Sequence, residues 1–123
     1  MSSNGFDFEG LVRAGYPLQR FEPGERIFLV GDEGSVMYAV RSGSVGITSA
    51  GEMLETVRPG ETFGELSLID GSPRGATAIA REPTEVAVID ERAFNYLVER
   101  NPAFALDLLR RLSRRLRSMN DNL

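Results

Sequence analysis

From residue 18 onward the chain alternates short apolar runs with turn residues at intervals of about ten. Leu18–Phe21 ends at Pro23-Gly24, and Arg26–Val30 ends at Gly31-Asp32-Glu33-Gly34. Val36–Val40 ends at Ser42-Gly43, Val45–Thr48 at Ala50-Gly51, and Met53–Val57 at Pro59-Gly60. Each run is rich in Val, Ile, Leu, Phe or Tyr. Two more such runs, Thr77–Arg81 and Glu85–Ile89, follow a segment of different character. Short β-rich runs at this spacing predict an all-β barrel or sandwich. The ends of the chain follow another period. Phe6–Ala14 predicts a short helix, with Phe8, Leu11 and Val12 on its apolar side. Asp90 reads as the N-cap of a helix over Glu91–Arg100, with Glu91 well placed in its first turn. Asn101-Pro102 breaks that helix and opens another over Pro102–Met119. The expected fold is therefore mainly β with flanking helices: an eight-stranded jelly-roll β-barrel, a short N-terminal helix and two C-terminal helices.

Composition narrows the chemistry more than the fold. At 123 residues the chain is one domain by length and needs no disulfide or metal staple. The expected organisation is a single domain over 1–123, with the barrel over 15–90 and the C-terminal helices over 91–123. There is no cysteine or histidine, and all 14 basic residues are arginine. That excludes a thiolate nucleophile, a Cys/His zinc site, a histidine base and a Schiff-base lysine. Carboxylates, hydroxyls and arginine are the remaining polar tools, and no enzymatic activity or cofactor is expected. The first ten residues carry Asp7 and Glu9 and no basic-then-apolar signal pattern. No apolar run approaches the roughly 20 residues of a membrane span. A cytoplasmic location with no membrane association is the expectation. The net charge of −4 argues against nonspecific nucleic-acid binding by the whole surface.

The segment that breaks the strand pattern reads FGELSLIDGSPRGATA, residues 63–78. Gly64-Glu65-Leu66-Ser67 can open a short helical turn, with Leu66, Leu68 and Ile69 turned inward. Asp70-Gly71-Ser72-Pro73 is a turn signal, and Arg74 follows it directly. Two readings fit. One is a surface pair of charges beside an ordinary turn. The other is an anion site, in which free N–H groups at a helix start bind phosphate oxygens and Gly64 allows close backbone approach. In that reading the planar fork of Arg74 takes two phosphate oxygens, while Gly75 and Ala76 leave room for the ligand. Glu65 would repel a phosphate, so its role there is to accept from a sugar hydroxyl.

This segment resembles the phosphate-binding cassette of the cyclic-nucleotide-binding domain family, whose pattern runs F-G-E-L/I-A-L, a short spacer, then P-R-x-A. Phe63, Gly64, Glu65, Leu66, Leu68, Pro73, Arg74, Ala76 and Thr77 all fit it. The wording is especially similar to the regulatory subunits of cAMP-dependent protein kinase. Ser67 departs from the commoner alanine. The resemblance extends over roughly Leu18–Asn120 through Phe21–Glu25, Gly31–Gly34, Tyr38–Gly46 and Arg58–Glu61.

The resemblance implies a regulatory module that binds a cyclic nucleotide. Arg74 would pair with the cyclic phosphate and Glu65 would accept from the ribose 2′-hydroxyl. The backbone N–H groups of Gly64, Leu66, Ser67 and Ala76 would contact phosphate and ribose. Ile47, Leu54 and Val57 would wall the sugar and base, with plain core packing as the other reading of all three. Relatives that favour guanine often carry threonine just after the arginine. Here Gly75 stands there, which leans toward cAMP over cGMP. Met119 and Asn120 fall near where the last helix caps the base in relatives, and Asn120 can bond an adenine edge. The alternative is a protein-interaction module with a degenerate nucleotide pocket.

The last helix carries two further patterns. Ala105, Leu109, Leu112, Leu116, Met119 and Leu123 form a heptad seam, which fits a homodimer contact or simple packing on the barrel. Arg110, Arg111, Arg114, Arg115 and Arg117 fill the other faces, which fits a solvated surface, nucleic-acid binding or an acidic protein partner for output. Family members that regulate transcription carry a helix-turn-helix domain after this helix, and none is expected here. The Met1 start is read as the beginning of a small complete protein or of an N-terminal fragment.

Overall fold

The structure is a computed structural model that describes residues 6–121, with side-chain environments to residue 117. Helix α1 (Phe8–Arg13) leads into β1 (Leu18–Phe21), β2 (Arg26–Phe28), β3 (Met37–Ser42), β4 (Val45–Ser49), β5 (Glu52–Val57) and β6 (Thr62–Phe63). Helix α2 (Glu65–Asp70) separates these from β7 (Thr77–Ala80) and β8 (Thr84–Ile89), and α3 (Glu91–Arg100) and α4 (Ala103–Asp121) close the chain. Every strand pairing is antiparallel. The strands form two four-stranded sheets, ordered β1-β8-β3-β6 and β2-β7-β4-β5. The chain is thus mainly β with flanking helices, as its periodicity predicts. The closed barrel is not formed, because no backbone ladder joins the sheets among the described residues. Period-two alternation says which residues point inward, but it does not say whether edge strands meet.

The sheet containing β3 and β8 is covered on both faces, which explains why these strands read as continuous apolar runs rather than alternating ones. Met37, Ala39, Ala87 and Ile89 face the helices and pack with Leu11, Ala93, Leu97, Phe104 and Leu108. Val40 and Val86 point the other way, into a second cluster between the sheets with Val45, Val57, Phe63 and Ala78. The helix starts are set by side chains. Asp7 Oδ1 accepts from the Gly10 N–H at 2.8 Å, and Asp90 Oδ1 from the Ala93 N–H at 2.8 Å. Asn101 and Pro102 interrupt the helices where expected, and α4 begins at Ala103.

Helix α2 corrects one expectation. Its buried positions are Glu65 and Ser67, with Leu68 packed against the helix-side core. Leu66 and Ile69 are exposed, not turned inward. A six-residue helix has room for one inward stripe, and here that stripe carries polar side chains.

A cleft built around a buried arginine

Arg74 is held by everything around it. The segment before it is anchored by a turn in which the Ser72 N–H and hydroxyl both donate to Asp70 Oδ1, at 2.9 and 2.6 Å. Those bonds hold the Asp70 carboxyl below the ordinary carboxylate range, the hydroxyl contributing most. The Arg74 N–H donates to the Asp32 carbonyl at 2.8 Å, and its own carbonyl accepts from the Gly31 N–H at 2.7 Å. Its side chain is 5% exposed. One Nη donates to the Gly64 carbonyl at 3.0 Å and the other to the Val36 carbonyl at 2.9 Å. The guanidinium lies 4.2 Å from the Phe28 ring centroid and 5.6 Å from that of Tyr38, a cation–π arrangement. Phe28, Tyr38 and Phe63 pack on one another, with Tyr38 stacked on Phe63 at 5.1 Å.

Two glycines make this seat sterically open. A Cβ on Gly34 would stand 2.6 Å from Arg74 Nε, and one on Gly64 2.9 Å from an Arg74 Nη. Gly64 also has φ +79°, which a side chain would strain. The charge itself is poorly compensated. No carboxylate lies within ion-pair distance of Arg74 among the described residues. Its Nε has no hydrogen-bond partner among the described residues. Burial pushes the Arg74 pKa below the ordinary arginine value, with the neighbouring Tyr38 and the Asp32 carboxylate acting against it.

Arg74 lines a cleft of about 350 Å³, in the size range of small-molecule sites. Of the residues singled out in the sequence, the cleft brings together Gly64, Glu65, Leu66, Ser67, Arg74, Gly75, Ala76, Ile47 and Leu54. Gly64 caps α2 without a side-chain hydrogen bond, so the first-turn N–H groups of that helix have no side-chain acceptor. The Ser67 hydroxyl is already used, donating to the Ser72 carbonyl at 2.8 Å. Glu65 is 2% exposed, and its Oε1 has no hydrogen-bond partner among the described residues.

Val57 does not line the cleft. It is fully buried between the sheets, opposite Val45. It shares a strand face with Glu55, but two pairs further along the ladder, where the facing sheet covers it. In contrast, Leu54 and Glu55 both reach the cleft although they are adjacent. The register shifts between Ile47 and Thr48, whose partners are Glu55 and Met53, and this leaves Leu54 as the extra residue of a bulge. The side chain of Asn120 lies outside the described residues, as does that of Met119.

Phe28, Glu55 and Arg115 also line the cleft, and sequence reasoning did not single them out for it. Arg115 is the most consequential. It reaches across from α4, with one Nη 2.6 Å from Glu55 Oε1 and the other 3.7 Å from Glu65 Oε2. The only hint in the sequence is its place in an arginine-rich run 50 positions from Glu65.

Residues 18–101 match the protein-family model described as the cyclic nucleotide-binding domain. The chain is 39% identical over 102 residues to the cyclic AMP receptor protein of Thermus thermophilus, a match covering 79% of this chain and 47% of that protein. It is 35% identical over 80 residues to the cAMP-dependent protein kinase regulatory subunit of Yarrowia lipolytica, covering 65% of this chain and 21% of the relative. The solved structure of the Thermus thermophilus catabolite activator protein superposes with a TM-score of 0.78 at 35% identity, over 94% of this chain and 58% of that one. The chain thus spans about half the length of the bacterial receptor it matches.

Proposed function

Because the chain belongs to the cyclic nucleotide-binding domain family, we propose that it is a sensor module that holds cAMP in the cleft around Arg74 and passes the signal through α4. The observation that carries this reading is the buried, uncompensated Arg74 guanidinium on the wall of a nucleotide-sized cleft. A buried cation without a counterion is costly, and an anion that enters as its partner removes that cost. The cyclic phosphate supplies such an anion. Nε of Arg74 and the amides of Leu66, Ser67 and Ala76 are the donors for it. The ribose hydroxyl donates to Glu65, whose Oε1 is unpartnered among the described residues. Gly64 gives the close approach, and Ile47 and Leu54 wall the base. Gly75 adds no side chain that would reward a guanine amino group, and two of the relatives above are named for cyclic AMP.

Signal transfer rests on Arg115. It joins Glu65 of the cleft to α4, so a sugar hydroxyl arriving at Glu65 changes what holds that helix. Nucleotide then favours one position of α4 over another by population shift. The proposed role is binding without turnover or cofactor, in the cytoplasm; no helix among the described residues is long and apolar enough to cross a membrane. We read residues 1–123 as a single domain and the facing strand orders 1-8-3-6 and 2-7-4-5 as a jelly-roll arrangement. Leu109 and Leu116 on α4 are 59% and 62% exposed, which supports a homodimer through that helix.

Calorimetric titration with cAMP and cGMP tests the reading. Saturable binding of cAMP, tighter than cGMP, is expected. A folded protein that takes up neither nucleotide at millimolar concentration overturns it and favours an interaction module with an idle pocket.

A further inference from the structure

A second cavity, of about 260 Å³, lies beside α4. Phe6, Phe104 and Leu108, all nearly buried, form its apolar floor, and Phe6 meets Phe104 edge-on at 5.6 Å. Its rim is cationic. Arg111 is pinned in place: one Nη donates to the Thr62 hydroxyl, and the other to the Thr62 carbonyl at 3.0 Å. Arg110 makes an exposed contact of 3.4 Å with Asp107. Arg114, one turn on from both, has no hydrogen-bond or ion-pair partner among the described residues. Among the described residues three guanidinium groups face one carboxylate here, leaving two positive charges unmatched within the cavity. Glu55 and Glu61 lie in the adjoining hollow, which Arg111, Arg114 and Arg115 also line, and Glu61 Oε1 is already taken by the Arg58 N–H at 2.8 Å.

A merely solvated arginine face needs neither a hollow beneath it nor a guanidinium fixed to a neighbouring strand. Nor is this the surface that a helix-paired dimer would cover. At 100° per residue, Asp107, Arg110 and Arg114 stand on the side of α4 opposite Ala105, Leu109, Leu112 and Leu116.

We propose that this cavity is a second anion site, for a small molecule that carries a phosphate or carboxylate on a planar apolar body. The body lies on Phe6, Phe104 and Leu108, and the anion takes Arg114 and the free edge of Arg111. Such a ligand bridges α4 to β6, the strand that runs directly into Gly64 and Glu65. It therefore bears on the same helix position as Arg115, one residue beyond Arg114. Any coupling with the first cleft is reciprocal, each ligand changing the affinity of the other by the same factor.

Phenyl phosphate, inorganic phosphate and benzoate are titrated into the full chain by calorimetry, with wild type, Arg114→Gln and Arg74→Gln. Phenyl phosphate is expected to bind saturably, to weaken about ten-fold in Arg114→Gln, and to stay within about two-fold in Arg74→Gln. Benzoate distinguishes a carboxylate ligand from a phosphate ligand. Resonance shifts in wild type on adding phenyl phosphate give the same answer if Arg74→Gln fails to fold: Phe104 and Arg114 should move, and Glu65 and Gly75 should not. The proposal is overturned if nothing binds, or if binding survives Arg114→Gln unchanged. Loss in Arg74→Gln, or shifts confined to the first cleft, overturns it too. So does inorganic phosphate binding as well as phenyl phosphate, which would mean an adventitious ion only.

Discussion

Residues 63–78 and α4 each send one arginine into the same cleft, and they hold it in opposite ways. Arg74 is buried, bonded to two carbonyls, stacked on Phe28 and free of any carboxylate at ion-pair distance among the described residues. Arg115 is 44% exposed and held by two carboxylates, Glu55 and Glu65. The first arrangement is pre-organised, because carbonyls, a ring and two glycines leave the guanidinium one place to be. The second is a bridge between elements, and its exposed half, from Arg115 to Glu55, is cheap to break. A fixed cation suits binding, and a movable one suits relay.

The sharpest way to break the comparison is Arg74→Ala. A buried charge-assisted contact is worth about 2 kcal/mol or more, so cAMP affinity should fall by at least roughly thirty-fold. An affinity within about three-fold of wild type in calorimetry would mean that the phosphate sits elsewhere. Gly34→Ala tests the seat without touching the charge. Its methyl would meet Arg74 Nε at 2.6 Å, against a side chain with little freedom to retreat. Overpacking of that kind costs about 1–3 kcal/mol, expected in both thermal stability and nucleotide affinity. Unchanged values in both would show that the guanidinium is less fixed than its contacts suggest. Phe28→Leu keeps the apolar volume close but removes the ring face under Arg74. It should lower affinity by about 1 kcal/mol, with a smaller effect on melting temperature. An equal or larger loss of stability would make Phe28 a packing residue only.

The same contrast explains what the sequence could reveal. Gly64, Glu65 and Arg74 fall within one short segment of unusual wording, so the cassette stands out against the strand pattern. Phe28, Glu55 and Arg115 reach the cleft from β2, β5 and α4, and nothing local marks them: Phe28 is one apolar residue in a strand, and Arg115 one of five arginines. Strand β6 is only two residues long and merges with the cassette. Leu66 and Ile69 mislead because apolar residues usually turn inward, whereas here the inward stripe of α2 serves the cleft with Glu65 and Ser67. Val57 misleads because a strand face continues unchanged from cleft wall to closed core.

Arg115→Gln has the smallest expected effect on affinity, and it separates holding from relaying. The pair with Glu55 is substantially exposed on both sides and is worth less than about 1 kcal/mol. The buried Glu65 also loses its cation, so the loss of stability should exceed that of an exposed pair. Nucleotide should still bind within about three-fold of wild type, because the phosphate stays with Arg74. What should disappear is the effect of nucleotide on α4. In wild type, cAMP is expected to slow amide hydrogen exchange along that helix, since a ligand at Glu65 changes the group that Arg115 anchors to. In Arg115→Gln that slowing should be absent while slowing in α2 persists. Equal slowing of α4 in both proteins would place the relay in contacts other than Arg115. The two arginines would then differ in burial but not in the division of labour drawn from it.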